Sequence, residues 1–240
     1  MPTVLANGID IYYEVRGEGE PLLLIEGLSS ELTNYERMIR ALETRYRVIC
    51  FDNRGAGRTD KPDAPYTIEM MAEDAAGLMQ AIGVASANVL GISMGGRIAI
   101  ALALSHPDLV RSLVLVSTSA NGSFKRSRSW RVLLFVSSMP GVRRIGDRYP
   151  QPRYAFERQR QASFSYDASD RLGEIHVPAL ILHGKRDGLT PLQFAEQTQL
   201  GIAGSKIDTF DGGHLFMFSR QREFLGAVFS FLDGLRNPRG

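Results

Sequence analysis

A chain of 240 residues, 44% hydrophobic and 22% charged, has the size and composition of one well-buried globular domain, or at most two small ones. Its apolar runs, such as 112–116 and 179–182, are far too short to span a bilayer, and its first ten residues lack the basic and apolar regions of a secretory signal, so a cytoplasmic location is expected. The net charge of +2, with no aromatic-interleaved basic motif, gives no reason to expect a nucleic-acid partner.

In chain order, Val4-Leu-Ala, the turn pair Asn7-Gly8 and Ile9-Asp-Ile-Tyr-Tyr-Glu-Val15 read as a hairpin. The all-apolar Leu22-Leu-Leu-Ile25 reads as a strand covered on both faces. Helix is then expected at 32–44, strand at 48–51, helix at 68–82, strand at 88–92, helix at 95–105 and strand at 112–117. Cys50 lies in one of these strands, where it reads as a core thiol; as the only cysteine it has no internal disulfide partner. From 119 to 175 there is no strand signal. Amphipathic stretches around 129–138 and 153–164 read as helices, joined by Pro140-Gly141 and Tyr149-Pro-Gln-Pro152. Alternation resumes with strand 177–183, helix 191–200, strand 206–210 and helix 221–235. Helix and strand taking turns in this way imply an α/β fold with eight mostly parallel strands flanked by helices. Residues 1–118 and 176–240 would form its core, and 119–175 a small helical cap. Between residues 119 and 171 eleven Lys/Arg face four Asp/Glu, which reads as a solvated helical surface or as a basic rim favouring acidic substrates.

The chemistry concentrates in Gly91-Ile-Ser93-Met-Gly95, set between an expected strand and an expected helix. A serine on so sharp a turn sits in a strained conformation, and side chains at Gly91 or Gly95 would collide with neighbouring backbone. The turn would present the Ser93 hydroxyl at the carboxyl edge of the sheet, above a helix N-terminus. A serine hydroxyl needs a base. His106, before Pro107 at a helix end, reads as a cap on carbonyls; His176 gathers no partners; His183, before Gly184, reads as structural. His214 differs, because Phe210-Asp-Gly-Gly-His214 is a glycine-rich loop after a strand that can carry an imidazole over a neighbouring site. The acid that orients it is assigned to Asp187, in a turn just past a strand, since Asp211 lies too close to His214 along the chain. The segment Ser117-Thr-Ser-Ala-Asn121 holds no carboxylate that could serve instead.

The order Ser93, Asp187, His214 resembles that of the α/β-hydrolase family, and the likeness covers nearly the whole chain. Cys50-Phe-Asp-Asn-Arg-Gly-Ala-Gly-Arg-Thr-Asp60 is similar to the family's Asp-x-Arg-Gly-x-Gly-x-Ser loop, and His106-Pro-Asp-Leu-Val-Arg-Ser-Leu-Val-Leu-Val116 to its His-Pro segment before an apolar strand. The resemblance is greatest to small esterases, enol-lactonases and carbon–carbon-bond hydrolases. It implies an oxyanion hole built from the amides of Met94 and Leu28. Where the family usually has His-Gly, this chain has Glu26-Gly27. An ionised Glu26 would oppose a developing oxyanion, so a pair with Arg54 or Arg97 is expected. Dehalogenases and epoxide hydrolases of this fold use an aspartate nucleophile, which Ser93 argues against.

No metal-ligand spacing and no dinucleotide fingerprint is present, so neither metal nor cofactor is expected. The expected activity is hydrolysis of a small-molecule ester or lactone through an acyl-enzyme. Trp130, Leu133, Leu134, Phe135 and Met139 of the cap are candidate apolar contacts to that substrate, or packing between cap and core. Two alternatives stand beside it: carbon–carbon cleavage by the same three residues, and a non-catalytic small-ligand binder on the same scaffold. Oligomeric state is not legible.

Overall fold

The computed structural model describes residues 2–122 and 148–236. Its strands are β1 (Thr3–Ala6), β2 (Ile9–Arg16), β3 (Pro21–Ile25), β4 (Arg47–Phe51), β5 (Ala87–Ile92), β6 (Val110–Val116), β7 (Ala179–Gly184) and β8 (Lys206–Phe210). They form one sheet in the order β1-β2-β4-β3-β5-β6-β7-β8. β1 and β2 make the hairpin around Asn7-Gly8, and β2 runs antiparallel to β4; every other pairing is parallel. The fold is therefore the α/β, mostly parallel eight-stranded arrangement expected from the pattern.

The alternation of side chains along each strand decides the layers. Leu23, Ile25, Val89, Leu113, Leu115 and Ile181 point to one face. There they meet helices α2 (Ile68–Ala81), α3 (Met94–Ser105) and α5 (Leu192–Gly201). Leu22, Leu24, Leu90, Val114, Leu180 and Leu182 point to the other, where α1 (Glu36–Leu42), the short α6 (Phe216–Ser219) and α7 (Gln221–Arg236) cover them. Continuous apolar strands follow from this double covering. Cys50 is buried in the second layer, as its apolar surroundings suggested.

Three elements depart from the expected bounds for visible reasons. The helix expected at 32–44 splits into a 3-10 turn, Leu32–Tyr35, and α1, because Glu31 and Asn34 close a capping box that starts its own turn. β6 stops at Val116 because Ser117 takes φ 47°, which breaks the extended backbone. β7 begins after Pro178, which has no N–H for the ladder. The helix expected near 153–164 is α4 (Arg153–Ser165), and a short 3-10 segment, Ser169–Glu174, returns the chain to the sheet. The helix expected at 129–138 and the contacts Trp130, Leu133, Leu134, Phe135 and Met139 lie outside the described residues. Among the described residues no helix is long and apolar enough to cross a membrane.

Candidate active site

Parallel strands place their carboxyl ends along one edge, so loops from different strands converge there. Ser93 follows β5, Asp187 follows β7, His214 follows β8 through Gly212-Gly213, and Glu26-Gly27-Leu28 follows β3.

Ser93 sits at φ 55°, ψ −115°, a strained position for a residue with a Cβ. Its surroundings explain the flanking glycines. A Cβ on Gly91 would strike the Gly95 carbonyl and, at 2.7 Å, the Gly96 Cα. One on Gly95 would strike the carbonyl oxygens of Ile25 and Glu26. The Ser93 amide donates to the Val116 carbonyl at 2.8 Å, so the strained turn is anchored to the neighbouring strand.

The three side chains named from the motifs meet. His214 Nε2 lies 3.0 Å from Ser93 Oγ, and His214 Nδ1 lies 2.8 Å from Asp187 Oδ2. The Asp187 side chain is fully buried, while the imidazole keeps slight exposure. Asp187 Oδ1 accepts the amides of Leu189 and Thr190, both at 2.8 Å, which leaves Oδ2 directed at the imidazole. An ionised carboxylate with these donors fixes a tautomer in which Nδ1 carries hydrogen and Nε2 can accept the hydroxyl proton.

The segments that carry the two amides assigned to the oxyanion hole both lie near Ser93 in the chain or in space. Met94 is the first residue of α3. A Cβ on Gly27 would lie 3.5 Å from the Ser93 Cβ, so the β3 loop passes close to the serine one residue before Leu28.

Glu26 does not pair as expected. Arg54 is committed to Asp74, with Nε–Oδ2 at 2.8 Å, and Arg97 donates to the Ser163 carbonyl at 3.0 Å and to Ser119 Oγ at 3.1 Å. Glu26 is fully buried and neither carboxyl oxygen has a hydrogen-bond partner among the described residues. Burial first, then the nearby carboxylates Asp52 and Glu31, push its pKa well above the ordinary range, against the pull of Arg58. Burial and the neighbouring carboxylates therefore favour the protonated acid, which would set no charge against an oxyanion.

Of the other histidines, His183 is structural: its Nε2 lies 2.7 Å from the Thr190 carbonyl, and burial lowers its pKa. His106 caps the end of α3 as expected, through its amide on the Leu102 carbonyl at 2.8 Å, while its ring Nε2 lies 2.8 Å from Glu73 Oε1 across on α2. His176 is exposed.

Sequence reasoning missed two sets of residues. The segment after β6, set aside because it lacks a carboxylate, supplies two struts. Ser117 Oγ donates to the His214 carbonyl at 2.8 Å, and Thr118 Oγ1 to the Ser93 carbonyl at 2.7 Å. Leu28, Leu189 and Phe194 pack around Phe164 of α4, an apolar patch beside the Leu28 amide and the Asp187 loop. No local signal marks either set, since both depend on contacts across the sheet. Among the described residues no cluster of His, Cys, Asp or Glu is placed to hold a metal ion.

The arrangement has known counterparts. A family model described as alpha/beta hydrolase fold matches residues 20–141. The chain is 32% identical to the putative carbamate hydrolase RutD of Azorhizobium caulinodans, over 90% of this chain and 92% of that one. It is 29% identical to the 2-hydroxymuconate semialdehyde hydrolase of a Pseudomonas strain, over 95% of this chain and 92% of that one. Among solved structures, the enol-lactonase of Burkholderia xenovorans superposes with a TM-score of 0.82 at 26% identity, covering 97% of this chain and all of that one.

Proposed function

The chain belongs to the α/β hydrolase fold family, and from that premise we propose that it is a serine hydrolase acting on small esters or lactones through an acyl-enzyme. The observation that carries this reading is the continuous relay from Asp187 Oδ2 to His214 Nδ1 at 2.8 Å and from His214 Nε2 to Ser93 Oγ at 3.0 Å. In it, Ser93 Oγ attacks the substrate carbonyl while His214 Nε2 takes the hydroxyl proton, and Asp187 steadies the imidazolium. The carbonyl oxygen gains the negative charge and is met by the Leu28 and Met94 amides, each such donor being worth about 3–4 kcal/mol in comparable sites. Collapse expels the alcohol, which takes the proton from His214 and leaves an ester on Ser93. Water, deprotonated by His214, then attacks that ester and releases the acid and the free serine.

Two further observations support this chemistry. Burial favours the protonated form of Glu26, which would add no negative charge where the oxyanion forms. The patch of Leu28, Phe164, Leu189 and Phe194 suits an apolar acyl or alcohol group. The related proteins named as a carbamate hydrolase and an enol-lactonase act, by those names, on carbonyls with a heteroatom leaving group, the class proposed here. A second reading, hydrolysis of a carbon–carbon bond, is favoured by the likeness to 2-hydroxymuconate semialdehyde hydrolase.

The test is hydrolysis of p-nitrophenyl esters from acetate to laurate, beside an aryl carbamate and a ring-cleavage dienoate, with Ser93→Ala as control. Ester turnover abolished by the substitution is the expected result, and the chain-length optimum measures the apolar patch. Turnover of the dienoate alone would move the assignment to carbon–carbon cleavage. A folded protein with no turnover, and no labelling of Ser93 by a fluorophosphonate, would leave only a ligand-binding role.

A further inference from the structure

His183 is a fully buried titratable group on β7 that the proposed reaction leaves unused. Its surroundings decide its protonation. The Thr190 carbonyl, 2.7 Å from Nε2, can only accept, so Nε2 carries a hydrogen. Nδ1 is buried with no hydrogen-bond partner among the described residues, so a second proton there would be an unpaired donor on a buried cation. Both facts favour the neutral Nε2–H tautomer, and burial, which lowers the pKa of the ring, works the same way.

The same nitrogen lies 3.4 Å from Asp187 Oδ2, the oxygen that meets His214 Nδ1 at 2.8 Å. Two imidazoles therefore border one carboxylate oxygen. The tautomer sets the sign of the second contact. With hydrogen on Nε2, the positive edge of the ring is nearest Oδ2 and favours the ionised carboxylate; a bare Nε2 would set a lone pair against it. The bond to Thr190 adds a mechanical tie. The Asp187 amide donates to the Gly184 carbonyl at 3.0 Å, and the Thr190 amide donates to Asp187 Oδ1 at 2.8 Å. Thr190 itself is pinned through its carbonyl to the His183 ring. The loop that carries the acid is thus tied back to two consecutive residues of β7, a strand paired on both sides.

We propose that His183 is a positioning residue for the reaction: through its Nε2–H edge and its hold on Thr190 it keeps Asp187 Oδ2 in place for His214. This rests on the serine-hydrolase reading above, and the experiment reads the two apart.

Two readouts carry the test. The first needs no substrate: the His214 Nδ1 proton, in a short charge-assisted bond to Asp187, is strongly deshielded and gives a low-field NMR line that reports the bond directly. The second is the second-order rate of Ser93 labelling by a fluorophosphonate. His183→Met offers no N–H; it is expected to shift or broaden the line and to slow labelling about 10- to 100-fold, the scale of a misplaced catalytic group. His183→Gln places an amide N–H as many bonds from Cβ as Nε2 is, and is expected to restore the line and most of the rate. In an Asp187→Asn background His183→Met should change the rate by less than about 2-fold, because a residue acting through Asp187 has nothing left to act on. A role in packing alone would leave the line unmoved and would add its cost to that of Asp187→Asn. His176→Gln, at an exposed position just before the same strand, should leave both readouts at wild-type values.

A folded His183→Met with an unmoved line or wild-type labelling overturns the proposal. So does a loss that His183→Gln shares, or one that adds in full to Asp187→Asn. If His183→Met does not fold, His183→Asn takes its place, since its shorter amide stays polar but falls short of Thr190. Failure of both to fold overturns the proposal, because a positioning residue must leave the fold standing. Nitrogen NMR shifts that put hydrogen on Nδ1 of His183 in the wild type at neutral pH overturn it as well. A wild type with the low-field line but no labelling defeats the serine-hydrolase reading and leaves His183 to be decided by the line. Labelling without a visible line leaves the decision to the rates, and a wild type with neither defeats both.

Discussion

Glu26→Gln isolates the strangest group in the site, a buried carboxyl with no hydrogen-bond partner among the described residues. Around it stand Asp52 and Glu31 from the flanking loops, Glu14 on β2, Cys50 on β4, Tyr35 in the 3-10 turn, and the cation Arg58. Desolvation and the like charges keep the proton on Glu26 in the folded chain, while the unfolded chain releases it above the ordinary value near 4.5. In that window the native state binds more protons than the unfolded one, so stability falls as pH rises. The slope is about 1.4 kcal/mol per pH unit for one group, and it ends where the native carboxyl itself ionises. Glutamine has no proton to lose, so the variant lacks this slope. Its extra N–H in a buried place shifts its whole stability curve by a constant, which the comparison of slopes removes.

The assay is urea unfolding of both proteins at pH 5.5 and 6.5. Over that unit the variant is expected to gain about 1.4 kcal/mol on the wild type, or about 3–6 °C in Tm for a chain of this length. Activity toward any accepted ester should change little across the same range, since one neutral group replaces another beside the oxyanion. A stability difference that stays flat with pH would mean that Glu26 is already ionised in the folded protein. The account of its environment would then be wrong, and with it the explanation of how this chain tolerates an acid at that position.

Asp187→Asn should leave the fold intact but lower kcat by about 10⁴-fold, because the amide favours the wrong imidazole tautomer; steady-state kinetics with unchanged thermal unfolding would check this. Gly95→Ala drives a methyl group into the carbonyls of Ile25 and Glu26, so it should cost about 1–3 kcal/mol or more in urea unfolding and displace the Leu28 loop, seen as slowed fluorophosphonate labelling. His183→Gln bears on acid stability. Burial lowers the native pKa, so its stabilising effect is complete above the ordinary value of 6.5 and is lost as pH falls below it; the variant's unfolding midpoint should fall less steeply between pH 6.5 and 5.

The sheet and the meeting of Ser93, Asp187 and His214 were legible because each rests on a local signal. Four- to seven-residue apolar runs mark strands, and glycines beside Ser93 mark a turn that no other residue type could make. The rest depends on distance. Glu26 was expected to need a cation because its neighbours along the chain are silent about its complete burial and about Asp52, which reaches it only after β3 and β4 pair. Gln159 reads in sequence as one polar residue in a polar helix; only packing shows that it faces inward and meets Ser29, 130 residues earlier. The ring partner of His106 was hidden for the same reason: the carboxylate beside it belongs to a helix 33 residues away in sequence.

Strain is also distributed unevenly. Among the described residues four non-glycine positions have positive φ, and one of them, Asn7, belongs to the hairpin turn. The other three are serines at the carboxyl ends of β3, β5 and β6: Ser29, Ser93 and Ser117, at φ 63°, 55° and 47°. Such conformations cost of order 1–3 kcal/mol each and persist only where surrounding structure over-determines them. Each of these has its lock. The Ser29 amide is held by Gln159, the Ser93 amide by the Val116 carbonyl, and the Ser117 amide by the Leu182 carbonyl. Serine is small enough to enter the left-handed region, yet its hydroxyl gives it work that glycine could not do. Ser117 uses that hydroxyl to hold the His214 backbone, and Ser93 uses it to reach the imidazole. A sheet buried on both faces is stiff enough to carry this strain at its edge, because relaxing the Ser93 or Ser117 turn would break a hydrogen bond to the end of the neighbouring strand. That coupling is why the edge, and not the longer surface loops, is where a hydroxyl and an imidazole can be held at fixed separation before any substrate arrives.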